Sequence, residues 1–399
     1  MKKLSVDQLD FKGKRALLRV DFNVPLNEAG EIIDDSRIRA ALPTIRLILD
    51  GGGCVIIMSH LGRPKGQKDP KLSLALCAKC LSDLLGEEVL LAPDSIGSEV
   101  TALVDKLKPG HALMLENVRF HAAEENPDSD PSFAKELASL GDLYVNDAFG
   151  TAHRRHSSTV TVASYFPGKA AAGLLLKKEI EFLGRYFRDP ERPFYAIIGG
   201  AKISTKMGVL KSLLDKVNAL FVGGGMAYTF FKAQGISIGD SICEEALIPE
   251  AKEFTALAAK KNVPVYLPSD VVIADRFAEN ATARTISIKE GIPDGWQGMD
   301  IGPDTLSVWQ QEVENAAMVF WNGPVGVFEM AQFAKGTETM AKALANIQGV
   351  TIIGGGDSVA AINQLHLTHH FSHISTGGGA ALEYIEHGQL PGIEALTNK

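Results

Sequence analysis

In the second half of this chain, short apolar runs end again and again in blocks of glycine that lead into helix-like stretches. Tyr195–Ile198 is followed by Gly199-Gly200-Ala201-Lys202, Ala219–Val222 by Gly223-Gly224-Gly225, Thr351–Ile353 by Gly354-Gly355-Gly356-Asp357-Ser358, and His373–Thr376 by Gly377-Gly378-Gly379. Apolar runs of this length are strand-sized, and their alternation with helices implies βαβ units and a parallel sheet. Every strand-to-helix turn of such a sheet leaves at the carboxyl edge, where open α/β sheets bind their ligands. Glycine there lets backbone approach a ligand closely, and the free N–H groups of a helix start attract anions. One cluster alone reads as a tight turn. Four on one edge, with Lys202, Lys206 and Asp357 beside them, point to a polyphosphate site.

The first half repeats the alternation without the glycine. Strands are expected at Ala16–Val20, Cys54–Met58, Ala112–Glu116 and Leu143–Asn146, with further ones in the second half at Val265–Leu267 and Met318–Trp321. Ile38–Leu49 and Leu72–Leu85 carry apolar residues at the three-to-four spacing of amphipathic helices. Ala170–Phe187 reads as one helix, broken by Asp189-Pro190-Glu191-Arg192-Pro193, which places a domain boundary near residues 187–193. At 399 residues the chain suits two domains better than one core. The expected fold class is α/β, two doubly wound parallel-sheet (Rossmann-like) domains joined by a helix and hinge, with no residue-level repeat between them.

Charge separates the halves. Residues 1–190 hold 25 Lys+Arg and 26 Asp+Glu, net −1, and residues 191–399 hold 15 and 22, net −7. The total of −8 argues against general nucleic-acid binding. The basic residues of the first half cluster instead at strand exits: Arg19-Val20-Asp21-Phe22-Asn23, Ser59-His60-Leu61-Gly62-Arg63, Asn117-Val118-Arg119, and Asn146-Asp147 through His153-Arg154, with Arg37 just before the first helix. Arginine's planar fork matches phosphate and carboxylate oxygens, so four such exits on one edge suggest a small-anion site.

Other patterns carry less. The P-loop string and G-x-G-x-x-G are absent. Gly235–Gly239 matches G-x-S-x-G but follows a helix, where Gly235 reads as a terminator. Cys77 and Cys80 lie in an amphipathic helix, and four cysteines make no disulfide framework. His366, His369, His370 and His373 lack a nearby carboxylate, which weighs against a metal site. No apolar run approaches the ~20 residues of a membrane span, and no secretory signal is expected, so the setting is the cytoplasm and the sequon at Asn280 is idle.

The chain resembles the phosphoglycerate kinase family over essentially its whole length. The resemblance rests on RVDFNVP at Arg19–Pro25, SHLGRP at Ser59–Pro64, ENVRF at Glu116–Phe120, NDAFGTAHR at Asn146–Arg154, GGAK at Gly199–Lys202, FVGGGMAYT at Phe221–Thr229, WNGPVGVFE at Trp321–Glu329, IGGGDS at Ile353–Ser358 and STGGGA at Ser375–Ala380. It implies reversible transfer of the acyl phosphate of 1,3-bisphosphoglycerate to Mg-ADP, giving 3-phosphoglycerate and ATP in glycolysis, in line and after hinge closure. It implies that Asp21, Asn23, Arg37, His60, Arg63, Arg119 and Arg154 hold 3-phosphoglycerate. The nucleotide positions are Lys206, Gly223, Gly224, Gly298, Glu329, Gly355, Gly356, Asp357 and Ser358, with Glu329 on the ribose, Gly223-Gly224 on the adenine and Asp357 on Mg2+. Arg37, Lys202 and the amides of Gly377, Gly378 and Gly379 neutralise the phosphoryl group in flight. The implied layout is a 3-phosphoglycerate domain at 1–172, a connecting helix at 173–189, a nucleotide domain at 190–381, and a segment 382–399 returning to the first domain, in a monomer. Arg155 stands where the family commonly has a small residue.

Two other readings use the same features. A non-catalytic two-domain anion-binding protein would have no need of Lys202, Asp357 and Glu329. A dinucleotide-dependent oxidoreductase would need the missing G-x-G-x-x-G.

Overall fold

In a computed structural model, which describes residues 2–399, the chain forms two compact units: residues up to Glu181 together with His387–Lys399, and Phe182–Glu386. The first is built on strands β1 (Arg15–Arg19), β2 (Cys54–Met58), β3 (Leu90–Leu91), β4 (Ala112–Met114), β5 (Leu143–Asn146) and β6 (Ala170–Ala172), all parallel in the order β3-β4-β2-β1-β5-β6. β2 is buried along its whole length, which is why it is apolar without alternation. Ile38, Ala41, Ile45 and Ile48 of the helix Ser36–Asp50 pack with Leu18 and Val20 and with Val55 and Ile57 from β2. Each fully buried Ile, Leu or Val among them contributes roughly 1.5–3 kcal/mol.

The second unit has β7 (Phe194–Ile198), β8 (Ala219–Val222), β9 (Val265–Tyr266), β13 (Met318–Asn322), β14 (Val350–Gly354) and β15 (His373–Ile374), all parallel in the order β15-β14-β13-β7-β8-β9. In both sheets the chain lays strands on one side of its first strand and then resumes on the other side, so each is doubly wound. The switch point falls between β1 and β5 in one and between β7 and β13 in the other. Trp309, Trp321, Phe221 and Ile353 centre the second core.

Three parts differ from the sequence reading. Ala170–Phe187 is not one helix: Ala170–Ala172 pairs with β5 as an edge strand, and the helix starts at Leu174 and ends at Tyr186. Gly173 separates them, and there a Cβ would run into the Asp147 carboxylate, whose Oδ1 accepts from Leu176 N in the helix's first turn (3.0 Å). Second, β10 (Asp270–Ala274), β11 (Ala283–Ser287) and β12 (Gln297–Ile301) form a small antiparallel sheet, order β11-β10-β12, that the fold-class reading did not contain. Third, the helix Gly379–His387 lies in the second unit up to Glu386, so the C-terminal segment in the first unit is shorter than 382–399. That segment pairs with the chain start, Lys3 opposite Asn398, and Thr397 N donates to Ala170 O (2.9 Å).

Candidate active site

The exits of β1, β2 and β4 in the first unit bring several of the expected residues together. Arg37, in the first turn of its helix, donates from Nη1 to Asp21 Oδ2 (2.7 Å). His60 is 4% exposed, with Nδ1 3.8 Å from Asp21 Oδ1. Asn23 Oδ1 accepts from Gly62 N (2.9 Å), and Arg119 Nη1 donates to Gly62 O (2.8 Å), so the turn after β2 is clamped from two sides. Arg154 Nε donates to His153 Nε2 (3.1 Å), while Arg63 is exposed. Burial works against charge on Asp21, but His60, Arg37 and Arg19 more than offset it and hold the carboxyl below its ordinary range. Burial pushes His60 well below its ordinary value, helped by Arg19, Arg119 and Arg37 and opposed by Asp21, so the ring is neutral at physiological pH.

Arg19 corrects the sequence grouping. It is the last residue of β1, yet it is fully buried and donates from Nε to Ser158 Oγ (2.7 Å). It sits 3.9 Å from the equally buried Glu124. It lies beneath the basic cluster rather than in it, and nothing in the local sequence signals Glu124 or Ser158 as its companions.

At the switch point of the second sheet, four strand exits line one cavity of about 430 Å³. β7 contributes Gly199, Gly200 and Lys202, followed by Lys206; β13 contributes Asn322 and Gly323; β14 contributes Gly355, Gly356 and Asp357; β15 leads to Gly378 and Gly379. Gly355 takes φ +89° and Gly378 φ +51°, the left-handed region that favours glycine. Burial lowers Lys206 to about 8, with Asp357 pulling it back up. Its ammonium donates to Asn322 Oδ1, and Asn322 Nδ2 is buried with no partner among the described residues.

Other expected nucleotide residues sit outside this lining. Ser358 is buried, and its Oγ accepts from Gly323 N (2.6 Å), bracing two of the cavity's turns. Gly377 is buried behind Gly378. Gly224 lies behind the cavity floor, where a Cβ would come within 2.8 Å of Gly200 N, and at Gly223 a Cβ would meet Val325 at 3.0 Å. Gly298 packs on Tyr228, whose hydroxyl a Cβ at 298 would strike. Glu329 is exposed. Asn322 and Gly323 carry no glycine block of the kind that marks the other exits, and only the position of Gly323 after the apolar run Met318–Trp321 could have pointed to them. Gly235, at φ +80° in open space, ends the helix Met226–Ala233. Cys77 is buried and donates from Sγ to Phe22 O (3.6 Å), and burial pushes its thiol up to about 12. His373 is buried and stacks on Phe182 with ring centres 4.7 Å apart.

Asp300, two residues beyond Gly298, accepts from Gly336 N (2.7 Å) and Ile301 N (2.9 Å) in near-complete burial. Burial raises its carboxyl to about 7, against those two N–H donors and with help from Glu338. A raised folded pKa means that the native state keeps its proton where the unfolded chain has lost it. Stability from this group is full below the unfolded value and declines as pH rises through about 7. Asp300→Asn mimics the protonated acid, so its stability relative to the parent should improve by about 3 kcal/mol between pH ~5 and ~8, read by urea unfolding. A pH-independent difference would show that Asp300 is ionised throughout.

The phosphoglycerate kinase family model matches residues 6–388. Among curated relatives, the phosphoglycerate kinase of Moorella thermoacetica is 54% identical over 399 residues, covering all of both chains. That of Trichodesmium erythraeum is 52% identical over 396, covering 99% of this chain and 98% of its own. The solved phosphoglycerate kinase of Coxiella burnetii matches with a TM-score of 0.87 at 42% identity, and that of Pyrococcus horikoshii with 0.86 at 31%, each covering 98% of both chains. Sequence motifs in order, two doubly wound sheets and matches along nearly the full length lead to one conclusion: the chain belongs to the phosphoglycerate kinase family.

Proposed function

We propose that the chain catalyses reversible transfer of the acyl phosphate of 1,3-bisphosphoglycerate to Mg-ADP, giving 3-phosphoglycerate and ATP. The observation that carries this reading is the convergence of four strand exits on one cavity walled by Lys202, Lys206 and Asp357. Phosphoryl transfer asks little covalent chemistry of a protein and much positioning and charge neutralisation. On this reading Lys206 and the amides of Gly355 and Gly356 hold the nucleotide phosphates. Lys202, Gly378 and Gly379 receive the transferring group together with Arg37. Glu329 binds the ribose, and Gly298 with the Gly223-Gly224 turn borders the adenine. Asp21, Asn23, His60, Arg63, Arg119 and Arg154 bind the three-carbon acid.

Asp357 suits Mg2+, since that ion is usually held by one or two carboxylates plus substrate phosphates, and Asp357 is the carboxylate in the cavity wall. When bound, the ion would screen the phosphate charge. Asp357→Asn should raise the Mg2+ concentration for half-maximal activity at least about 10-fold. An unchanged Mg2+ titration would move the metal elsewhere.

The direct test of function is ATP consumption dependent on 3-phosphoglycerate, coupled to NADH oxidation; absence of that dependence would refute the reading. Direct transfer also requires the bound substrates to come into line, so small-angle scattering should show a smaller radius of gyration with both ligands than with neither. An unchanged radius would refute closure. The reading includes a monomer working in the cytosol, free of nucleic acid and membrane; among the described residues no helix is long and apolar enough to cross a membrane.

A further inference from the structure

Arg19 is shut away from solvent, and every nitrogen of its guanidinium is hydrogen-bonded. Nε donates to Ser158 Oγ (2.7 Å), Nη1 to Val20 O, and Nη2 to His60 Nδ1 (3.3 Å). Ser158 in turn donates from Oγ to Glu124 Oε1 (2.7 Å) and from its backbone N to Oε2 (2.9 Å). The guanidinium is therefore held in one orientation from below by a buried carboxylate and a hydroxyl.

An arginine side chain has donors and no acceptor, and it does not lose its proton in a protein. His60 Nδ1, facing Nη2, must accept. A neutral imidazole that accepts at Nδ1 carries its proton at Nε2. A doubly protonated ring would set N–H against N–H and one cation against another. The charged groups around His60 are Asp21, Arg19, Arg119 and Arg37. Asp21, the one anion among them, stands 3.8 Å from Nδ1, beyond hydrogen-bond length.

We propose that Arg19 is a positioning residue that locks His60 as the neutral Nε2–H tautomer, so that His60 meets the substrate as an oriented hydrogen-bond donor rather than as a cation. The functional half of this inference rests on His60 binding the three-carbon acid; the tautomer itself does not.

The test is long-range 1H–15N correlation NMR on the 15N-labelled, substrate-free enzyme. His60 should show a protonated Nε2 and a bare Nδ1, unchanged from about pH 5 to about pH 8. An Nδ1–H tautomer, or titration near the ordinary value of ~6.5, overturns the proposal. Arg19→Lys keeps the charge but not the fork. It should introduce an Nδ1–H population and raise the KM for 3-phosphoglycerate about 10-fold while kcat stays within about 2-fold. If that variant does not fold, Ser158→Ala, which frees the Nε end of Arg19, is read the same way. An unaltered His60 spectrum in the variant overturns the role of Arg19. His60→Gln places an amide N–H where Nε2 stood, and His60→Asn places one where Nδ1 stood, so KM should be about 10-fold lower in the Gln variant. Equal KM values with the expected wild-type tautomer would refute the substrate assignment of His60 and leave the tautomer standing.

Discussion

An Arg37→Ala enzyme should turn over at least about 100-fold more slowly than its parent, a loss of about 2.7 kcal/mol of transition-state stabilisation. Arg37 is held by a 2.7 Å bond to Asp21 Oδ2, and its side chain is about a third exposed. Asp21 is mostly buried, but it keeps His60 and Arg19 beside it when Arg37 is removed, so the fold should survive the change. Removing one preorganised donor to a transferring group is costly because the remaining site cannot reorganise to replace it. Arg37→Lys should fall between, since an ammonium supplies the charge without the planar fork. The measurement is kcat in both directions with the nucleotide KM alongside. Turnover within a few-fold of the parent would take Arg37 off the list of groups touching the transferring phosphate, and a matching loss of thermal stability would reclassify the effect as structural.

Gly199→Ala should severely destabilise the second unit. A Cβ there would run into Pro324 O and lie 2.6 Å from Gly323 O and 2.7 Å from the Pro324 carbonyl carbon. All three are backbone atoms, so no side chain can swing aside. Overpacking of this kind costs about 3 kcal/mol or more. Gly356→Ala supplies the contrast, because a Cβ at 356 meets nothing within 4 Å; its stability should stay within about 0.5 kcal/mol of the parent. Urea unfolding of both variants decides the matter. Equal stabilities would mean that the turn after β13 yields easily, and that the cavity floor is softer than its contacts imply.

How much was legible in the residues depends on which physical force set each element. β2 and β5 match the expected bounds because strands buried on both faces are near-continuous apolar runs, broken in β5 only by its last residue, Asn146. Ala170–Ala172 was misread because alanine favours helices locally, whereas pairing with β5 and the room left by Gly173 decide the outcome. The antiparallel sheet escaped notice because β11 is half exposed and β12 carries Gly298 and Asp300 in place of an alternating pattern. At the strand exits, Asp21, His60, Lys206 and Asp357 stand out as candidates, since a parallel sheet brings the residues that follow its strands to one edge. Placement at that edge does not say which polar groups turn inward. Arg19 was grouped with the ligand-facing residues, although its partners Glu124 and Ser158 lie far along the chain. Ser358 turns inward, where its Oγ accepts from Gly323 N.

The turns after β7, β8 and β13 are interlocked through main chain. Gly199 N donates to Asn322 O (2.9 Å), Gly200 N to Pro324 O (2.9 Å) and Gly224 N to Val325 O (3.1 Å). Gly199, Gly224 and Gly323 each press on backbone of a neighbouring turn. A floor made this way has no side chains for selection to exchange one at a time. Substituting any one of the three glycines displaces a turn belonging to another strand, so a viable path would need compensating changes in two segments at once. Change in this cavity should therefore begin at exposed positions of its wall such as Lys202 and Thr205, where a single replacement disturbs only its own surroundings. The cavity floor would be the last part of the unit to drift.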